Sequence, residues 1–511
     1  MQRRLEASCR EMSVSKGGLL IACLSSALLI TPARAFQSSL HPLPSNTFRS
    51  KHQLPSLAMN GQTAASSARG AGAVVGKRAA LQPWLEEVMG AFLAGPRAGE
   101  DCVVAVGNDA GDLDSVVSAM ALSYWLDTPG QRYLPAASFP RQDFKLRQDA
   151  ALLFAHSGLP CGADAAPTNL LHWGELTPEA LGRWPGIGVA LTDHNKVAVE
   201  VAGTLGARTT VAAVVDHHND ERAASTLSSP LRVIDAAAGS TCSLLAELMP
   251  NEALEDPTVC ALMLGVIAVD CRGFDPALLN IKYSIRDMQA CTRLLSALGS
   301  ATAFPEKVTP EILRDTPLPA RAGVQGAKSM RELCDVLLEA RYDVAARTPS
   351  ELLRLDYKQA TSEGGRVVGV AAVCISAPEL LARANGPAGL EEALSLAAAE
   401  RGVDVLFAMT AEDLDDAGQR KSLFAAAGTR AADSSAAAET LLGALSGIPD
   451  LPPHLATQAL FVVQDIATQG FGLDWAALTP AAKLKGSTLR ALATRKTLLP
   501  ALLHFSDSQP S

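Results

Sequence analysis

A short strand pattern that ends in a loop with two carboxylates constrains the fold of this chain more than any other feature. The apolar run at residues 103–106 breaks at Gly107, crosses a loop containing Asp112 and Asp114, and continues as an Ala-, Leu- and Val-rich helical pattern over 115–126. A strand, a turn and a helix start in this order are typical of parallel α/β sheets, which bind ligands at the carboxyl ends of their strands. Two carboxylates this close repel each other unless a cation lies between them.

A purely structural role also fits these two residues. Asp112 could be a turn residue and Asp114 the N-cap of the helix, a position that Asp favours. Recurrence argues against this interpretation, because three further apolar segments also end in Asp or His. Residues 188–191 lead into Thr192-Asp193-His194-Asn195, residues 211–215 into Asp216-His217-His218-Asn219, and residues 262–269 into Asp270.

Strand ends that carry such side chains allow a sheet to assemble one site from remote parts of the chain. We therefore predict a doubly wound, mostly parallel α/β sheet. The segment 259–270 is expected to be a buried helix whose last residue faces the site, because it is long and does not alternate. His194 and His218 could bind a metal ion at this site. Alternatively, they could orient a metal ligand without contacting the metal themselves.

Composition limits the partners and the type of metal site. A net charge of -9 makes wrapping of nucleic acid or of an anionic membrane unfavourable, since those partners need clustered Lys and Arg. The ten cysteines include no C-x-x-C pair, which favours core residues in a reducing compartment over a disulfide framework or a zinc site. Any metal is therefore expected to be held by carboxylate and imidazole groups.

The first 80 residues have the composition of a targeting leader. A positively charged start precedes an apolar run at 17–30 and an Ala33-Arg34-Ala35 cleavage pattern, and residues 12–85 contain no Asp or Glu. This two-part layout resembles the targeting sequences of algae with complex plastids, so a plastid location is expected. Secretion, a mitochondrial address and a gene-model extension of a cytoplasmic protein are the alternatives.

The rest of the chain is expected to form two domains. Prolines cluster between residues 302 and 325, which indicates a linker. We predict a first domain over 81–305, a linker over 306–325, a smaller α/β domain over 326–505 and a loose tail over 506–511. In the second domain we expect helices at 329–342 and 390–401, strands at 366–375, 403–409 and 423–427, a charged turn at 412–420 and a flexible loop at 428–438.

Taken together, these motifs resemble the DHH phosphoesterase superfamily, which is named after the triplet Asp216-His217-His218. The resemblance extends over most of the chain after the leader. It rests on Gly107-Asn108-x-x-x-Asp112-Leu113-Asp114-Ser115, Asp193-His194-Asn195, Gly239-Ser240-Thr241, Asp270, and, in a C-terminal domain, Asp356-Tyr357-Lys358 and Arg495-Lys496. Asn108 and the segment 140–147 resemble the branch of exopolyphosphatases and Prune proteins, and the intact triplet favours the exopolyphosphatase side. Thr494 and Gly273 depart from the pattern, where Ser and Asn are usual.

The resemblance implies a role for each of these residues. Two divalent cations, Mn²⁺ or Mg²⁺, would be held in the first domain, with Asp193 bridging them. Asn108 donates only a neutral amide where pyrophosphatases offer an imidazole, so one ion would bind more weakly. His218 would donate to the transferred phosphoryl group, and the second domain would supply the cations for the substrate across a cleft. The implied metal ligands are Asp112, Asp114, Asp193, His217 and Asp270, and the implied substrate-binding residues are Lys358, Arg495, Lys496 and His218.

The implied activity is hydrolysis of phosphoanhydride bonds. A hydroxide activated by two metals would release terminal orthophosphate from short-chain inorganic polyphosphate. Inorganic pyrophosphatase is the enzymatic alternative, followed by a phosphodiesterase, and a Prune-like partner-binding protein with a retained metal site is the non-enzymatic one. We expect a monomer or homodimer without nucleic-acid or membrane partners in the mature form.

Overall fold

The computed structural model describes residues 79–206, 210–300, 304–305, 307–362, 364–414, 418–427 and 461–464. Nearly all of the predicted leader, the predicted loop 428–438, the predicted tail, Thr494, Arg495 and Lys496 lie outside these residues. Within the described ranges, no helix combines the length and the apolar composition that crossing a membrane requires.

A six-stranded parallel sheet forms the centre of the first part. Its strands are β1 (Asp101–Val106), β2 (Gln131–Ala137), β3 (Leu171–His172), β4 (Ile187–Thr192), β5 (Thr210–Asp216) and β6 (Leu231–Ile234). They are ordered β3-β2-β1-β4-β5-β6, and all neighbours are parallel. The order reverses direction beside β1, which is the place where such sheets open a ligand crevice. The predicted α/β fold class is confirmed.

Helices pack around this sheet, and most of the apolar core lies between the two. Their bounds are α1 (Leu81–Ala94), α2 (Leu113–Leu126), α3 (Gln148–Ser157), α4 (Pro178–Leu181), α5 (Val199–Leu205), α6 (Thr241–Leu248), α7 (Pro257–Asp270), α8 (Ile285–Ala297), α9 (Pro310–Asp315) and α10 (Met330–Tyr342). Helix α7 is apolar on all sides, because it is enclosed by other helices, and it ends at Asp270 as predicted.

The second part has a smaller, mixed sheet. Its elements are α11 (Pro349–Leu355), β7 (Tyr357–Thr361), β8 (Val367–Val373), α12 (Ala377–Arg383), α13 (Pro387–Arg401), β9 (Val405–Leu414), β10 (Gly418–Ala427) and β11 (Phe461–Gln464). The strand order is β11-β10-β9-β8-β7, with one parallel pair, β8 and β9. The charged turn predicted at 412–420 is wrong, since β9 and β10 pair through most of it and leave only 415–417 between them.

Described residues of the predicted linker pack against the first core. Residues 310–315 form α9, and Leu313 and Val324 are fully buried in the first core. That core continues to Leu338 in α10, and the second core begins at Val344. We therefore propose that the boundary between the two units lies at the end of α10, after the predicted linker.

Candidate active site

The carboxyl ends of β1, β4 and β5 bring the predicted site residues together. These three strands are neighbours in the sheet. Asn108 follows β1, Asp193 follows β4, and Asp216 is the last residue of β5. The turn after β1 is tight, because a Cβ on Gly107 would lie 2.4 Å from Cβ of Ser115. A glycine is therefore required where this strand meets the start of α2.

Asp193, His217 and His218 form the most compact group of candidate metal ligands among the described residues. Nε2 of His217 lies 3.2 Å from Oδ1 of Asp193, and Nδ1 of His218 lies 3.4 Å from the same oxygen. The ligand atoms of all three lie within 4.8 Å of one another. A carboxylate with two imidazoles is a donor set suited to a divalent transition metal.

The Asp193 side chain is held in place by two donors. Nδ2 of Asn108 donates to its Oδ2 over 2.6 Å, and Oγ of Ser115 donates to the same oxygen over 2.6 Å. Nδ2 of Asn108 also donates to the Asp193 carbonyl. With Oδ2 engaged in this way, Oδ1 is the oxygen that faces the imidazoles. The backbone of Asp193 has φ of +61°, a strained conformation of the kind found at functional sites.

The two histidines of the triplet are fixed differently. Nδ1 of His217 lies 3.2 Å from the carbonyl of Ala238, which leaves Nε2 towards Asp193. Nδ1 of His218 lies 2.8 Å from Oδ1 of the buried Asp216, whose Oδ2 accepts from Asn195. His217 therefore offers its ligand nitrogen directly, whereas Nδ1 of His218 is shared between Asp216 and Asp193.

The electrostatics of this group are those of a cation site. Burial acts to lower the pKa of His217, but Asp193, Asp114 and Asp270 outweigh it and raise that pKa to about 10. For Asp216, burial acts to raise the pKa. Hydrogen bonds to Asp216 and the charge of His218 outweigh this effect, so the pKa of Asp216 lies below its ordinary value.

Asp114 is buried against the start of α6. Its Oδ2 accepts from the Thr241 N–H over 2.7 Å and its Oδ1 from the Cys242 N–H over 3.1 Å, while Oδ2 lies 3.9 Å from Nε2 of His217. Burial and the charge of Asp193 raise the pKa of Asp114 to about 7. The Gly239-Ser240-Thr241 motif therefore helps to position a carboxylate, and Ser240 is the N-cap of α6.

Asp112 is the N-cap of α2, and its Oδ1 accepts from the Ser115 N–H over 3.1 Å. The N-cap is therefore not Asp114, which lies inside the first helical turn. Desolvation acts to raise the pKa of Asp112, but Arg341, the Ser115 N–H, Lys358 and His218 together lower it to about 2. Asp112 therefore remains ionised with cations around it.

Asp270 provides the clearest indication that this site can hold a cation. Its Oδ2 is buried and has no hydrogen-bond partner among the described residues. Burial, Asp114 and Asp112 raise its pKa well above the ordinary value. A buried carboxylate oxygen without a partner is unfavourable, and coordination of a metal ion would satisfy it. The side chains present therefore fit divalent ions.

The predicted residues differ in how they contribute. His194 lies outside the compact group, with Nδ1 2.8 Å from the Thr192 carbonyl. Lys358 lies in β7 of the second part, and its charge acts on Asp112. The charge of Arg341, at the end of α10, also lowers the pKa of Asp112. Arg341 belongs to no sequence motif, so the sequence analysis did not identify it. Only its helical spacing could be predicted, since its partners are remote in sequence.

Comparisons with known proteins agree with this geometry. The profile of the DHH family N-terminal domain matches residues 102–268, and the profile of the DHHA2 domain matches residues 335–505. The chain belongs to the DHH family. Its predicted place on the branch of Prune and exopolyphosphatase proteins is confirmed.

Three relatives illustrate the similarity of this DHH chain. It is 27% identical to exopolyphosphatase PRUNE1 of Rattus norvegicus over 311 residues, which cover 60% of this chain and 59% of the relative. It is 22% identical to the manganese-dependent inorganic pyrophosphatase of Methanocaldococcus jannaschii over 51% of this chain and 68% of the relative. The solved structure of a Methanococcus jannaschii protein described as a family II inorganic pyrophosphatase aligns with 76% of this chain and 99% of its own length, at 16% identity and a TM-score of 0.43. The chain thus spans less than two thirds of the length of its PRUNE1 relative.

Proposed function

We propose that this DHH protein is a metal-dependent phosphoanhydride hydrolase that releases terminal orthophosphate from short-chain inorganic polyphosphate. The observation that carries the proposal is the convergence of Asp193, His217 and His218 beside the unpartnered oxygen of Asp270. The exopolyphosphatase and pyrophosphatase relatives support the type of bond that is cleaved.

Two divalent cations, Mn²⁺ or Mg²⁺, are the proposed cofactors. His217, Asp193, Asp114, Asp112 and Asp270 would hold them, and His218 lies close enough to contribute. When bound, such ions activate water and neutralise charge on a phosphoryl group. The manganese-dependent relative supports this choice of metal.

The side chains of the chain itself would orient and bind the substrate. Asn108 and Ser115 fix the Asp193 carboxylate, so that the site is organised before substrate arrives. The proposed role of His218 is donation to the transferred phosphoryl group, with Asp216 fixing its ring. Lys358 is proposed to supply positive charge from the second part, as are Arg495 and Lys496, which lie outside the described residues.

Pyrophosphatase activity is the second candidate, because one of the relatives carries that name. The two activities differ in substrate length. Equal amounts of pyrophosphate and tripolyphosphate, incubated with the full chain and Mn²⁺ or Mg²⁺, should yield orthophosphate faster from tripolyphosphate. A clear preference for pyrophosphate would favour the second candidate.

The decisive test uses Asp193→Asn and a matched surface variant, Asp335→Asn, whose side chain is 55% exposed on α10. We expect Asp193→Asn to lose on the order of a hundredfold or more in phosphate release, because it removes the central ligand charge. Asp335→Asn should match the wild type. Folded wild-type protein that releases phosphate from neither substrate would favour the partner-binding alternative.

The leader and the assembly state are separate proposals. We propose that residues 1–80 direct the chain to a complex plastid, because an acid-free segment follows a signal-like run. A fluorescent protein fused behind these residues should enter the plastid of an alga with a complex plastid, and cytoplasmic fluorescence would contradict this. A monomer or homodimer in solution is proposed as well.

A further inference from the structure

Arg341 is a basic residue whose charge acts on the candidate metal ligands Asp112 and Asp270. It does not belong to any of the sequence motifs. It occupies the last turn of α10, immediately before the boundary between the two cores. Its Nε donates to Oδ2 of Asp149 in α3 over 2.6 Å, and the Asp149 side chain is only 5% exposed. This ion pair fixes the guanidinium relative to the first sheet.

The fixed guanidinium acts on the candidate metal ligands. Its positive charge lowers the pKa of Asp112 and opposes the increase in the pKa of Asp270. Burial acts to lower the pKa of Arg341, but Asp149, followed by Asp112 and Asp270, raises it above its ordinary value, so Arg341 remains charged. Lys358 in the second part acts on Asp112 as well. Hydrogen bonds place Arg341 beside the loop before Asp112, because its partner Asp149 lies two residues after Arg147, whose guanidinium donates to the carbonyls of Ala110 and Gly111 in that loop.

The hydrogen bonds of Arg341 differ from those of a purely structural arginine. Arg147, which is buried beside the loop before Asp112, donates from Nε to Gly111, from one terminal nitrogen to Ala110 and from the other to Asp143, all at carbonyl oxygens. Among the residues that the structure covers, Arg341 donates from Nε alone, and neither of its terminal nitrogens has an acceptor. Its side chain is 27% exposed.

A guanidinium anchored through Nε, with two terminal NH₂ groups left to donate, can bind two oxygens of a phosphate group. We propose that Arg341 binds a phosphoryl group of the substrate, together with Lys358. The inference deepens the proposed function, because it names a substrate-binding residue for the same site.

The test compares Arg341→Lys and Arg341→Gln with Arg331→Gln, a matched control on the same helix whose side chain is 66% exposed. Arg341→Lys keeps a positive charge near Asp149 but removes the two terminal NH₂ groups of the guanidinium. This variant therefore tests phosphate binding while the ion pair that supports the fold can still form. The full chain is titrated with Mn²⁺ alone, and the Mn²⁺-loaded chain is then titrated with imidodiphosphate, which is not hydrolysed. Urea unfolding confirms that each variant is folded.

We expect Arg341→Lys to bind Mn²⁺ like the wild type and imidodiphosphate about tenfold more weakly, with Arg341→Gln losing up to about a hundredfold. KM for tripolyphosphate should rise in parallel and kcat should change less. Wild-type affinity for imidodiphosphate in both variants overturns the inference, as does a wild-type chain that does not bind imidodiphosphate. A wild type that binds imidodiphosphate but hydrolyses neither polyphosphate nor pyrophosphate would overturn the proposed function alone.

Discussion

The side-chain amide of Asn108 donates a 2.6 Å hydrogen bond to Oδ2 of Asp193, and its own carbonyl oxygen accepts from the Ala110 N–H. Both ends of the amide are therefore used inside the protein. Asn108 acts by orienting Asp193, which in turn presents Oδ1 to His217.

Asn108→Ala is expected to weaken Mn²⁺ binding by about ten- to a hundredfold, because groups that orient a ligand have effects of this size. Ser115 still donates to Asp193, so the carboxylate is not left without a partner. Calorimetric titration with Mn²⁺ measures the effect, and Gln82→Ala on the exposed side of α1 is the amide control. Unchanged Mn²⁺ affinity in Asn108→Ala would contradict the orienting role.

Substitutions of the two adjacent histidines are expected to have different effects on Mn²⁺ affinity and on kcat. His217→Gln is expected to reduce Mn²⁺ affinity sharply, since Nε2 lies 3.2 Å from Asp193 and the Ala238 carbonyl fixes the ring. His218→Gln should reduce kcat by about a hundredfold or more, within the range for loss of a proton donor, and change Mn²⁺ affinity less. Titration with Mn²⁺ and steady-state kinetics on tripolyphosphate give both quantities. Equal losses of Mn²⁺ affinity in the two variants would show that both histidines are ligands.

The sequence predicted the centre of the site better than its surroundings. Apolar runs that end in Asp or His located β1, β4 and β5, because a buried parallel strand has a strong local pattern. Strand β6 was missed: it has four residues at the sheet edge, and its sequence contains Arg232. A short edge strand has too little apolar sequence to be distinguished from a loop.

Contacts between remote residues could not be predicted from local patterns. Arg341 and Asp149 are 192 positions apart, and neither belongs to a motif. The same applies to the packing of 306–325, where prolines indicated a linker but Pro310 begins a helix. Proline is well tolerated in the first turn of a helix, so its presence there does not distinguish a linker from a helix start.

Acid sensitivity is expected from His172, which is fully buried against Phe139 and Phe144. Burial, together with the charge of Arg141, lowers its pKa to about 4, although the Phe139 carbonyl acts in the opposite direction. Above pH ~6.5 the histidine is neutral in both states and contributes no pH dependence. Below that pH the unfolded chain binds a proton that the folded chain does not, so stability falls as the pH decreases towards 4, by about 3 kcal/mol in total.

Urea unfolding of the wild type and His172→Asn between pH 7 and pH 4 tests this expectation. The Asn amide can still donate to the Phe139 carbonyl, but it has no proton to gain, so the stability of the variant should fall less steeply with decreasing pH. His156→Gln, which changes an exposed histidine on α3, should retain the wild-type slope. Identical slopes for the wild type and His172→Asn would exclude His172 as the source.

Gly273 lies in the turn that follows Asp270, and this turn packs against α10, the helix that carries Arg341. Its φ is +60°, and a Cβ there would lie 2.9 Å from Cα of Arg331 in α10. Gly273→Ala therefore combines backbone strain with a backbone clash and should destabilise the fold by about 2 to 4 kcal/mol. Gly99→Ala isolates the first effect, because Gly99 has φ of +76° and open space around it, and it should cost about 1 to 2 kcal/mol.

Urea unfolding measures both costs, and KM for tripolyphosphate shows whether the clash also displaces Arg341. We expect KM to rise in Gly273→Ala and to stay at the wild-type value in Gly99→Ala, because only the first substitution moves α10. Gly273→Asn introduces the residue that the family resemblance predicts at this position, and Asn tolerates positive φ better than Ala does. Its Cβ meets the same backbone, however, so it should still be less stable than the wild type. Equal stability of Gly273→Asn and the wild type would show that α10 moves at no cost.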